Sequence, residues 1–210
     1  MQGERIHRYA VATRISHWLW VIAFGALVSS GLQIFNAAPF LDASNTTNTA
    51  HHLFALPQPA DGSPAVPGWL TIPSYRDLAD GRRWHLFFAW IMVICGVTWL
   101  ISSAIKGNLR ELFRSEHGVY NLPQRLSYIV VIFVIAPIIV LSGLALSPGM
   151  DAIAHPLTWV FGGRQFARLW HFAGMLALVG FFLVHIFQVL THGVFNQLNS
   201  MITGWYRREA

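Results

Sequence analysis

The sequence predicts an all-α integral membrane protein, a four-transmembrane-helix bundle with both termini cytoplasmic. Three observations predict it. Of 210 residues 54% are hydrophobic and 11% charged, too little polar surface to coat a soluble globule. Four apolar windows, about residues 15–36, 85–105, 126–147 and 168–191, each reach the roughly 20 residues a helix needs to cross the hydrocarbon core. The basic residues are unequally shared: Arg5, Arg8, Arg14, Lys106, Arg110, Arg114, Arg125, Arg207 and Arg208 make nine around the termini and middle loop, against five, Arg76, Arg82, Arg83, Arg164 and Arg168, on the other side. The excess marks the cytoplasmic face. Residues 1–210 read as a single domain in contact with lipid, and no nucleic-acid partner is expected.

The first window runs past the length of a signal-peptide core and has no small-x-small cleavage site at its end, so it is expected to stay as a helix. Residues 37–84 hold six of the ten prolines and read as a long periplasmic loop with at most short helical turns, folded back on its own bundle. Trp69, Leu70 and Ile72 give it an apolar tip. The second window contains Cys95, the single cysteine, expected as a small buried packing residue; it excludes an intrachain disulfide and a CxxCH attachment, so any haem is held non-covalently. In "KGNLRELFRSEHGVYNLPQR" the spacing of Leu109, Leu112 and Phe113 predicts a short interfacial helix. Pro137 is expected to kink the third span. Beyond Gly193, residues Val194, Leu198, Met201, Ile202 and Trp205 continue a helical pattern on the cytoplasmic interface.

The histidines carry the chemistry. Six of the ten, His7, His51, His52, His117, His155 and His192, fall in loops or at span ends, where a solvated imidazole needs no explanation. His17, His85, His171 and His185 fall within apolar windows, where an ionisable group is costly and points to function. His171 and His185 lie 14 residues apart, hence roughly 21 Å along a helix and about 40° around it. One helix thus offers one face with two ligand positions. Alternating span directions put His171 level with His85, and His185 level with His17. A pair of imidazoles near each surface suits two six-coordinate haems, with both axial positions closed for electron transfer. Zinc or iron on bare histidines fits less well, because no carboxylate falls inside a span to complete the set.

Three of these histidines follow an arginine by three residues, in "RISH", "RRWH" and "RLWH". Arg14, Arg82 with Arg83, and Arg168 therefore lie on the histidine's side, one turn nearer the surface, where haem propionates would emerge. Snorkelling anchors beside Trp18, Trp84 and Trp170 are the plainer reading. Flat macrocycles also need thin walls. Gly31, 14 residues from His17, is expected at the other haem's depth; Gly25, Gly96, Gly143, Gly174 and Gly180 are expected to serve helix packing.

The segments "RISHW", "RRWHLFFAW", and "RLWHFAGM" followed by "FLVHIF" resemble the di-haem membrane cytochrome b family of the cytochrome b561 type, which includes cytochrome b subunits of Ni,Fe-hydrogenase and formate dehydrogenase. The "SGL" triplets at 30–32 and 142–144 and "SMITG" at 200–204 are also similar to the family, and the resemblance covers nearly the whole chain. It implies a bacterial inner-membrane protein with two haem b groups, ligated by His17 with His185 and by His85 with His171. It further implies electron exchange between ubiquinone or menaquinone and a periplasmic redox partner, such as a hydrogenase or molybdopterin oxidoreductase. The long loop, variable in such proteins, leaves the partner open. A second function class is a stand-alone superoxide:quinone oxidoreductase, with Arg82, Arg83, Arg164 and Arg168 steering the anion. A third, a histidine-lined metal transporter or a purely structural bundle, is disfavoured by the cost of unpaired histidines in hydrocarbon.

Overall fold

The computed structural model describes residues 5–44, 52–105, 109, 113 and 122–207. Its elements run β1 (Arg5–His7), α1 (Val11–Phe35), β2 (Phe40–Leu41), β3 (Phe54–Ala55), a 3-10 turn (Gly68–Leu70) and α2 (Leu78–Ile105), followed by α3 (Leu122–Leu146), α4 (Pro148–Ile153), α5 (Pro156–Val160), α6 (Arg164–Thr191), α7 (Val194–Thr203) and β4 (Trp205–Arg207). Helices α1, α2, α3 and α6 are long and apolar enough to cross a membrane. Their outer faces expose Ile15, Ile22, Phe87, Trp90, Leu183 and Phe187, as lipid contact requires.

All four of these helices begin four to seven residues before the apolar windows, at Val11, Leu78, Leu122 and Arg164. Backbone hydrogen bonding carries a helix on through the polar interface wherever its first turn is satisfied. At α2 the Asp80 amide donates to Asp77 Oδ1 at 2.9 Å, a side-chain cap, and Arg83 donates to Asp80 at 3.0 Å. At α6 the chain enters through Gly162 and Gly163, with φ of 81° and 111°, a backbone that residues with a Cβ rarely adopt.

The Pro-rich segment folds back on the bundle, as expected. Asn36 closes α1 and exchanges two hydrogen bonds with Val66, donating to its carbonyl at 3.0 Å and accepting from its amide at 2.8 Å. Gln33 donates to the Tyr75 carbonyl at 2.7 Å. The expectation of helical turns alone is corrected: β2 and β3 pair antiparallel, Phe40 opposite Ala55 and Leu41 opposite Phe54. Phe54 and Phe35 both lie near Phe172 of α6, with ring centroids 6.1 and 5.1 Å away. At the tip Trp69 is 81% exposed.

Within α3, residues Val131–Ile135 form one widened π turn. Pro137 has no amide to donate into the ladder, and the turn before it opens so that the Ala136 amide reaches Val131, five residues back. Cys95 is partly covered rather than buried, because its stretch of α2 faces outward. Between α3 and α6, Asp151 accepts from Thr158 Oγ1 and His155 Nδ1, both at 2.9 Å, with Arg164 at 3.8 Å. These donors hold its carboxyl below the usual range.

The tail helix appears as α7, yet Trp205 is not on it, which corrects the extended pattern. Gly204 turns the chain at φ 90°, and Trp205–Arg207 pairs antiparallel with Arg5–His7. Trp18 Nε1 donates to the Met201 carbonyl at 3.1 Å and Arg14 donates to the Ile202 carbonyl, so α7 is fastened to the start of α1. Apart from Leu109, Phe113 and the start of α3, the predicted middle-loop helix lies outside the described residues, as do His51, His117 and Arg208.

Candidate functional site

Helix α1 packs on α2 and α3 on α6, and the two hairpins meet through aromatic rings such as Phe24 and Phe182, 5.3 Å apart. The four span histidines fall on this seam. His17 faces His185 with ring centroids 6.4 Å apart at the end of the bundle that carries the termini. His85 faces His171 at 6.0 Å at the end that carries the long loop. These are the two combinations that counting residues along α6 predicts. Among the described residues no three His, Cys, Asp or Glu side chains converge, so each level offers two imidazoles.

The loop-end pair has neighbours that the sequence reading missed. Ser30 of α1 lies 3.0 Å from His85 Nδ1, and Ser142 of α3 lies 3.1 Å from His171 Nδ1. Each serine also donates to the carbonyl four residues back, Ala26 or Ile138, at 2.6 Å. His171 Nδ1 also bonds the Ile139 carbonyl at 2.9 Å. Gly31 and Gly143 follow the serines. A Cβ at Gly31 would stand 3.4 Å from His85 Cε1, and one at Gly143 only 3.0 Å from His171 Cε1.

Gly31 thus lies at the expected depth, whereas Gly143 serves the histidine rather than helix packing. Gly96 and Gly174 do pack, against Trp20 and Ile139; Gly25 and Gly180 meet nothing within 4 Å, contrary to expectation. The signal was present in the sequence: "SGL" precedes Arg-x-Trp-His in each half of the chain.

Three of the four candidate arginines have partners within the protein. Arg168 donates to the Ala38 carbonyl, with its guanidinium 5.5 Å from the Phe35 ring and 5.6 Å from the Phe40 ring. It fastens the loop to α6. Arg14 holds Ile202, while its Nε is buried without a partner among the described residues. Arg82 and Arg83 are exposed, Arg83 on Asp80. Of the histidines outside the spans, His52 is more than a solvated loop residue: it meets buried Asp42 at 2.6 Å and stacks on Phe40.

Four apolar helices with imidazoles facing in pairs define a class, the haem-binding electron-transfer proteins of membranes. The chain belongs to the prokaryotic cytochrome b561 family, whose model it matches over residues 8–204. It is also similar to YedZ1 of Azospira oryzae, provisionally named a protein-methionine-sulfoxide reductase subunit, at 32% identity over 197 residues, 84% of this chain and 86% of the relative. Family membership implies haem b, and the residues present fit it. Two metal–imidazole bonds of about 2 Å plus the ring offsets span about 6 Å, the separation seen in both pairs. The glycines leave room beside the rings, and His17 Nδ1 is buried without a partner among the described residues.

Proposed function

We propose that this chain, as one domain of a bacterial inner membrane with both termini cytoplasmic, holds two haem b groups and exchanges electrons between quinone and a periplasmic redox protein. His17 with His185, and His85 with His171, would hold the two haem irons. The observation that carries this reading is the single helix α6, which presents His171 and His185 to different partner helices at its two ends. Bound there, haem would supply one-electron transfer. The imidazoles set its orientation, the glycines make room for it, and the hydrocarbon seam excludes water.

Arg14, Arg82, Arg83 and Arg168 are assigned to the cofactor's carboxylates by their place three residues before a histidine or beside one that is. Ubiquinone or menaquinone supplies or removes electrons in the membrane. The partner is a soluble oxidoreductase docking at the loop end, such as a hydrogenase or molybdopterin enzyme; the relative's name as a reductase subunit supports a partner of this kind.

The test is a reduced-minus-oxidised spectrum of the purified protein with a haem-to-protein ratio. The expected ratio is about two, with low-spin b-type bands, falling to about one in His171→Ala. Absence of haem, or a ratio still near two in that variant, overturns the assignment. Rapid reoxidation of the reduced protein by a soluble quinone analogue checks the quinone step.

A further inference from the structure

We propose that Ser30 and Ser142 are matched positioning residues that fix the ring tautomer of His85 and His171 and lower the reduction potential of the loop-end centre alone. The inference rests on the ligand assignment above. A serine hydroxyl has one proton, and each of these spends it on a carbonyl of its own helix at 2.6 Å. Each oxygen therefore meets the histidine as an acceptor. A carbonyl can only accept, and His171 Nδ1 lies 2.9 Å from that of Ile139. The proton is consequently on Nδ1, which leaves the Nε2 lone pair for a metal.

The same construction stands on both sides of the centre. Ser30 and Ser142 are both fully buried, and their distances to the two Nδ1 atoms differ by only 0.1 Å. The carbonyls of Leu27 and Ile139 each stand three residues before the serine, 3.3 and 3.2 Å from its oxygen. An acceptor on the far nitrogen makes an imidazole a stronger electron donor. Stronger donation from both axial sides favours the ferric state, so the potential falls. The terminal-end level lacks this construction, for His17 Nδ1 is buried without a partner among the described residues.

The experiment is a redox titration of the purified holoprotein with Ser30→Ala, Ser142→Ala and the double variant, alongside haem-to-protein ratio and low-temperature electron paramagnetic resonance. The expected result is two haems throughout, with one of the two b-type components shifted to higher potential. It is the same component in both single variants, and it shifts further in the double. The low-spin signal of that component shifts too, while Ser→Thr variants, which keep the hydroxyl, stay near wild type. If an alanine variant instead loses haem, loss confined to that component supports the proposal and loss of the other overturns it. No shift, equal shifts of both components, or different components moving in the two single variants would also overturn it. A wild-type ratio below two would sink the ligand assignment instead, so the two failures are distinguishable.

Discussion

Gly31 and Gly143 occupy equivalent places beside His85 and His171, but with unequal margins. An added methyl at Gly31 meets its ring at 3.4 Å, a contact that a small adjustment accommodates, whereas at Gly143 it meets Cε1 at 3.0 Å and Nδ1 at 3.4 Å. The His171 ring would have to move, and overpacking of this kind costs about 1–3 kcal/mol. Gly143→Ala is therefore expected to weaken haem retention five-fold or more, at about 1.4 kcal/mol per tenfold change, and Gly31→Ala to change it little; haem content after dialysis against apomyoglobin reads the difference. The four histidines were legible in the sequence because an imidazole in an apolar window is conspicuous. The serines were not, because a serine inside a span ordinarily bonds its own backbone. Only the recurrence of "SGL" ahead of Arg-x-Trp-His tied them to the histidines.

At the scale of elements, the segment after α1 is held by few but buried contacts. Asn36 is 2% exposed, and its amide group satisfies both the amide and the carbonyl of Val66. Asn36→Ala leaves two buried backbone groups unpaired, at about 1–3 kcal/mol each. The expected outcome is faster proteolysis within residues 52–66 and a lower melting temperature, with the spectrum of bound haem unchanged; a spectrum that changes would show the loop to shape the site itself. Composition marked this segment as a loop through its prolines, but not its attachment, which depends on single side chains of α1. The helix starts, which lie ahead of the apolar windows, were not legible for a related reason. Hydropathy locates where a helix meets lipid, while the Asp77 cap and the Asp80–Arg83 pair decide where it begins.

At the scale of the molecule, the bundle is two helical hairpins facing each other across their histidines, and among the described residues no fully buried side chain is larger than serine. A bound cofactor between the hairpins stabilises the folded form by mass action. Protein expressed under haem limitation is expected to melt at least several degrees below the haem-loaded form, in a single transition, and to recover on adding hemin. Equal melting temperatures would mean that the hairpins associate without help from the cofactor. Span number and the pairing of levels were legible because length and helical geometry fix them. The ladder between β1 and β4 was not, since three-residue strands carry no periodicity of their own. Yet it brings Arg5 opposite Arg207, so the strand before α1 and the strand after α7 are pinned side by side. A short covalent link across that ladder would cost little loop entropy. Such a link would tie the α1–α2 hairpin to the α3–α6 hairpin at the end of the bundle where His17 faces His185.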